Sequence, residues 1–203
     1  MKLPPFAAQN RFYRGNLHGH STHSDGCLSP QAVVDRYAGL GYDFTCLSDH
    51  LWINNAFAAR SVCDASSLNS TDFITLPSAE LHCFGKRFDQ DGLWHIVANG
   101  LPVDFACPHD TESAPELIAR ARAAGAYVSL AHPEWHAMTT DEALLVASAD
   151  AVEIYNYSCA LTSARGSGIA IADYLLNEGH NISFTATDDS HFDLPDFAGG
   201  WVM

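Results

Sequence analysis

Residues 18–26 read His-Gly-His-Ser-Thr-His-Ser-Asp-Gly, directly after the short β-rich start Asn16-Leu17. This stretch decides between the two folds open to a chain of alternating strands and helices. A doubly wound dinucleotide-binding sheet needs a G-x-G-x-x-G fingerprint in the turn after its first strand. Here the turn carries imidazoles and a carboxylate. In parallel βα folds the C-terminal ends of the strands share one face, and the loops there build active sites. A barrel with polar strand ends is the better reading.

The rest of the chain supports that choice. Ser29-Pro30 caps a helix with Val33, Val34, Tyr37 and Leu40 at helical spacing, closed by Gly41. Residues 43–48, 73–79, 93–98, 127–131, 151–155 and 182–187 read as strands. Helices are expected from Ser113-Ala114-Pro115 to Gly125, over 141–147 and over 169–176, the last stopping at Gly179. Strands alternating with helices imply parallel βαβ units in one domain spanning 1–203. Nothing after residue 187 reads as a helix, and Gly199-Gly200 breaks structure. We therefore expect the native chain to continue past Met203 and cover the last strand, unless residues 6–13 or a partner chain do so.

Polar residues collect at these strand ends. His18 and His20 end the first strand, Asp49-His50 the second and Glu80 the third, while His132, Asp189 and His191 follow later ones. On a strand, residues two apart point to the same side, so an HxH pair presents two imidazoles to one ion. Asp189 and His191 repeat that spacing, and a carboxylate such as Glu80 can bridge two ions. Imidazole and carboxylate ligands without thiolates suit Zn, Mn or Fe better than Mg or Ca. Any one of these histidines alone reads as structural; their common placement, in a chain with 11 histidines, argues for a metal site.

Composition removes several other functions. The 203 residues are 47% hydrophobic and 17% charged, an ordinary globular balance. No apolar run approaches the roughly 20 residues that span a bilayer, and the N-terminus has no signal-type apolar core, so a cytoplasmic location without membrane partners is expected. The six cysteines form no CxxC pair, against both a zinc ribbon and a disulfide framework. The net charge of −14, with Lys2 and Lys86 the only lysines, argues against a nucleic-acid partner and leaves a small-molecule substrate.

The ordered set of motifs resembles the PHP (polymerase and histidinol phosphatase) metallohydrolases. NLHGHSTHSDGCLSP resembles the family's first motif, LSDH the second, SAELH the central glutamate and LWHIVANGL the strand with an isolated metal histidine. LAHPEW, EIYN and TDDSH match the later motifs in order. The resemblance runs from about Asn16 to His191. It implies a distorted (βα)7 barrel, here without its final helix, and metal ligands His18, His20, Asp25, His50, Glu80, His95, His132, Asp189 and His191. It also implies a trinuclear centre that usually cleaves phosphoesters. The opening FYRGNLHGHSTHSDG is similar as well to a subgroup that includes carbamate-ester (carbaryl) hydrolases.

The expected function is thus hydrolysis by a metal-bound hydroxide on two or three divalent ions. A small, anionic phosphoester is the first substrate class and a carboxyl or carbamate ester the alternative, with a non-catalytic metal module behind both. Asp49 is expected to orient an imidazole from behind, and His136 to offer a proton to a leaving group. Arg165, Asn156, Lys86, Arg87 and His82 are candidate substrate contacts, and Trp52, Trp135 and Phe192 a candidate apolar wall. His23, His109 and His180 read as loop or surface residues.

Overall fold

The computed structural model describes residues 11–84 and 93–203. Its elements run β1 (Gly15–Asn16), α1 (Pro30–Gly39), β2 (Phe44–Leu47), β3 (His50–Leu51), β4 (Ile74–Phe84), β5 (Leu93–Asn99) and α2 (Ala114–Ala123), then β6 (Tyr127–Leu130), α3 (Thr140–Leu145), β7 (Ala151–Asn156), α4 (Tyr157–Ser163), α5 (Ile169–Asn177) and β8 (Ser183–Thr187). Seven strands form one path, β1-β2-β4-β5-β6-β7-β8, with β3 pairing on β4. Beyond the strands, Gly19 bridges Ser190. His20 N donates to Ser190 O (2.9 Å) and Asp189 N to His18 O (2.9 Å), which nearly closes a distorted barrel.

The expected helices form, each with a local cause. Ser29 caps α1 through Ala32 N, and Pro30 occupies its first turn. Ser113 and Glu116 make a capping box on α2, Thr139 and Glu142 another on α3. Among the described residues no helix follows β8, as expected.

One expectation needs correcting. β5 runs antiparallel to both β4 and β6. A parallel crossover takes a dozen or more residues, whereas the gap from Phe84 to Leu93 is too short for one. The reversal matters for the site, because it brings the beginning of β5, with His95, beside the end of β4. β4 also extends past residue 79 through Phe84, so Glu80 and His82 lie within a strand.

Alternation separates the two sides of the wall. Leu81, Cys83, Ile96, Leu130 and Val152 face outward into the larger apolar core, which α2, α3 and α5 cover. Val33, Val34 and Tyr37 of α1 pack with Leu47 and Phe73 in the smaller one. The inner side is polar and buried: Thr45, Ser78, Glu80, His82, Asn99, Ser129, Glu153, Thr185 and Thr187. Burying polar groups is costly unless they are partnered, yet Thr45 Oγ1, Ser129 Oγ, Thr185 Oγ1 and Glu80 Oε2 have no hydrogen-bond partner among the described residues.

After β8 the chain folds back across the barrel end. Asp188 accepts from Ala198 N (2.7 Å), Gly199 N (2.8 Å), Gly200 N (2.7 Å) and Tyr37 Oη (2.7 Å), and Val202 pairs with Gly15. A side chain at Gly200 would meet Thr187 O at 2.1 Å, so only glycine allows this approach. Phe184 on β8 is 48% exposed. Of the segment expected to cover it, residues 6–10 lie outside the described residues, and Phe12 and Tyr13 are themselves about half exposed.

Candidate metal centre

Glu80 is the hub. Register sets His50 of β3 opposite Glu80, and His95 of β5 opposite His82. Glu80 Oε1 lies 2.9 Å from His95 Nδ1, 3.0 Å from His132 Nε2 and 3.4 Å from His18 Nε2. Oε2 lies 2.7 Å from His50 Nδ1 and 3.6 Å from His20 Nε2. Asp189 adds a second buried carboxylate, 2.8 Å from His20 Nε2 and 3.2 Å from His18 Nε2. Asp25, nearer the mouth, lies 3.5 Å from His50 Nε2 and 3.6 Å from His191 Nε2. All nine ligand candidates from the sequence therefore meet in one cluster.

The cluster forms because several tight turns meet here. A side chain at Gly26 would stand 2.7 Å from the His20 carbonyl carbon, so glycine lets the His20–Asp25 loop close on itself. Asp49 braces that loop, accepting from Ser21 N and Oγ (both 2.8 Å) and from Ser24 N (3.1 Å) and Oγ (2.7 Å). All four of those bonds go to the loop, where the sequence reading had placed an imidazole. His132 and Asp189 adopt left-handed backbone angles, φ 27° and 55°. Such conformations cost about 1–3 kcal/mol and persist where surrounding structure over-determines them.

The electrostatics favour positive charge at the centre. Burial alone would lower the His18 pKa, but Asp189, Glu153 and Glu80 outweigh it and hold it well above the ordinary value. His50 and His132 are raised too, against burial, chiefly through Glu80. Burial would raise Glu80, yet His95, His50 and His18 keep it well below the usual carboxylate range. His20 is lowered by burial and by His191 and His50. Burial also lowers His95 and His82, with neighbouring imidazoles adding to it.

The donor set fits metal ions. His18 Nε2, His20 Nδ1, His95 Nδ1 and Glu80 Oε2 are buried without a hydrogen-bond partner; the close ion-pair approaches at His95 and Glu80 do not lie along hydrogen-bond directions. Glu153 Oε1 accepts from His18 Nδ1 (2.7 Å), so whenever the ring is neutral its Nε2 lone pair faces carboxylate oxygens that cannot donate. Acceptors facing acceptors need a cation or a proton between them. Four-atom groups close enough for one ion include His18, His20, Glu80 and Asp189, and also His20, Asp25, His50 and His191.

The remaining candidates are distributed differently. His82 Nε2 lies 2.7 Å from His50 Nδ1, and its ring stacks 4.0 Å from His95. His136 Nε2 accepts from His95 N (3.1 Å), which places the ring beside the cluster but engages that nitrogen as an acceptor. Asn156 is buried, donating to Glu153 and Asp189 (3.0 Å each), and so lies behind the ligands instead of in the substrate's path. Arg165 is exposed and off the cleft lining. Lys86 and Arg87 lie outside the described residues. Trp135 lines the cleft, whereas Trp52 is buried behind His82 and Phe192 packs on the smaller core.

Two contributors escaped the sequence reading. Glu153 accepts from His18, His132 N (2.8 Å), Thr187 Oγ1 (2.6 Å) and Asn156. Its signal was an acid inside the apolar run AVEIY. Phe57, in an irregular loop, flanks the cleft about 5.1 Å from the His50 ring. The cleft beside Glu80 has a volume of about 340 Å3.

No protein-family model and no curated protein matches the chain. Solved structures do share its fold. A Bifidobacterium adolescentis protein named as a metal-dependent phosphoesterase aligns with a TM-score of 0.65 at 14% identity, over 93% of this chain and 92% of that one. A two-domain Bacteroides vulgatus protein containing a predicted PHP-like metal-dependent phosphoesterase aligns at 0.59 and 17% identity, over 89% of this chain; the match spans 52% of that longer protein. An amidohydrolase from Chromobacterium violaceum, with bound sulfate and no metal, aligns at 0.64 and 16% identity, over 87% of each chain. The chain shares the fold of these three structures. Among the described residues no helix is long and apolar enough to cross a membrane.

Proposed function

We propose that this chain, residues 1–203 as one catalytic domain, is a metal-dependent phosphoesterase hydrolysing a small phosphorylated molecule. The observation that carries the reading is the convergence of five imidazoles and Asp189 around buried Glu80, at the open end of a barrel of PHP type. On this reading His18, His20, Glu80 and Asp189 hold one divalent ion. Glu80 with His95 and His132 holds a second, and Asp25, His50 and His191 a third. Two or three ions of Zn, Mn or Fe suit these ligands.

The ions supply Lewis acidity, activating water near neutral pH and neutralising charge on the phosphoryl group. The protein does the positioning. Glu153 fixes the tautomer and tilt of His18, and Asn156 ties Glu153 to Asp189. Asp49 holds the loop that delivers His20 and Asp25. The acidic surface repels nucleic acid, so we assign a soluble, anionic small-molecule substrate in the cytoplasm.

A turnover panel tests this: metal-loaded protein with an aryl phosphate, a phosphodiester, an aryl acetate and an aryl carbamate. The reading expects the phosphate esters to be hydrolysed fastest, with activity lost on chelation and restored by metal. Hydrolysis confined to the acetate or carbamate would overturn it.

A further inference from the structure

The cleft beside Glu80 is chemically two-sided. At its inner end stand the carboxylates and imidazoles of the proposed ion site. At its outer end stand two aromatic side chains, Phe57 and Trp135. The Phe57 ring lies 5.1 Å from His50 and 5.8 Å from His82. Trp135 lies 5.5 Å from His95 and 5.2 Å from His132, and is 43% exposed. An indole that large, left in water at the mouth of a polar site, is an unfilled contact surface. Two hydroxyl residues of α4, Ser158 and Thr162, also line the cleft.

Charge limits what can enter. Among the described residues no lysine or arginine lines this cleft, and Arg165 is outside it. Among the described residues, then, no planar guanidinium fork stands here to recognise an anion. The ions of the proposed site would supply positive charge at the inner end. Among the described residues, a second anionic group toward the mouth would meet aromatic faces and Asp25 and no counter-charge. The volume of about 340 Å3 lies at the low end for ligand sites, which leaves room for a compact molecule.

Building on the phosphoesterase reading, we propose that the substrate is a compact aromatic phosphomonoester. Its single phosphoryl group faces Glu80 and Asp189 through the ions, and its uncharged ring contacts Phe57 and Trp135. These two residues set specificity for the leaving group and take no part in bond cleavage.

Calorimetric binding of non-hydrolysable phosphonates to the metal-loaded protein tests the idea apart from turnover. Phenylphosphonate should bind about tenfold more tightly than methylphosphonate, the scale expected for burying one ring against aromatic faces. In Trp135→Ala and Phe57→Ala that ratio should fall toward one. Trp135→Ala removes a side chain already 43% exposed, so that variant should keep the fold and carry the test if Phe57→Ala does not. Equal binding of the two phosphonates, or a ratio unchanged in Trp135→Ala, would overturn the aromatic specificity and leave the phosphoesterase reading standing. Failure of both phosphonates to bind would overturn that reading and this inference together.

Discussion

Glu153 Oε1 stands 2.7 Å from His18 Nδ1, and its other oxygen accepts the backbone N–H of His132 at 2.8 Å. One buried carboxylate on β7 thus aligns two candidate ligands that are far apart in the sequence. Carboxylates that orient ligating imidazoles typically matter 10–100-fold in metal affinity or activity.

Glu153→Gln keeps the side chain's size and an oxygen acceptor but loses the charge. We expect metal affinity to fall about 10–100-fold with little change in far-ultraviolet circular dichroism. Competition against a fluorescent chelator measures it. An unchanged affinity would show that Glu153 serves the fold alone.

Glu80→Gln tests the hub. Glu80 touches five imidazoles, and on the proposed reading it is shared between ions. Removing its charge should lower bound metal and cut turnover by orders of magnitude, while secondary structure persists. A variant with full metal content and normal turnover would exclude bridging.

Metal binding should release protons. Neighbouring carboxylates raise the pKa values of His18, His50 and His132, so these rings hold protons to higher pH than free imidazoles, and an entering ion displaces them. His20 and His95 are lowered by burial, so they contribute fewer protons. Affinity should therefore weaken as pH falls from about 8 to about 6, through the ordinary imidazole range. Titration calorimetry in buffers of differing ionisation enthalpy reads the proton count. Binding without proton release at pH 7 would contradict the assignment.

Asp188 fastens the returning end of the chain through three backbone N–H groups and Tyr37. Asp188→Asn turns an acceptor into a donor among donors and should cost about 2–3 kcal/mol. Urea unfolding measures it, and an unchanged midpoint would show that the segment is held by other contacts.

Much of this was legible in the sequence because it obeys short-range rules. Ser29-Pro30 and Ser113-Ala114-Pro115 announce their helices through capping chemistry, and HxH spacing places His18 and His20 together. The reversal of β5 was misread because the third strand was ended at residue 79, which left about a dozen residues, enough for a crossover; β4 in fact runs on to Phe84. α4 was missed because a seven-residue helix, capped by Asn156, has too few turns for a periodic signal. Asp188 was illegible for another reason: its partners are backbone groups ten to twelve residues on, which no side-chain pattern records. Phe57 sits in an irregular loop, and only the closed barrel shows which ring it faces.

The most direct test of the central claim is elemental analysis of metal-loaded protein after exhaustive buffer exchange. The account predicts two or three tightly bound divalent ions per chain, because Glu80 joins ligand groups too numerous for one ion. A content of one ion or fewer would contradict it.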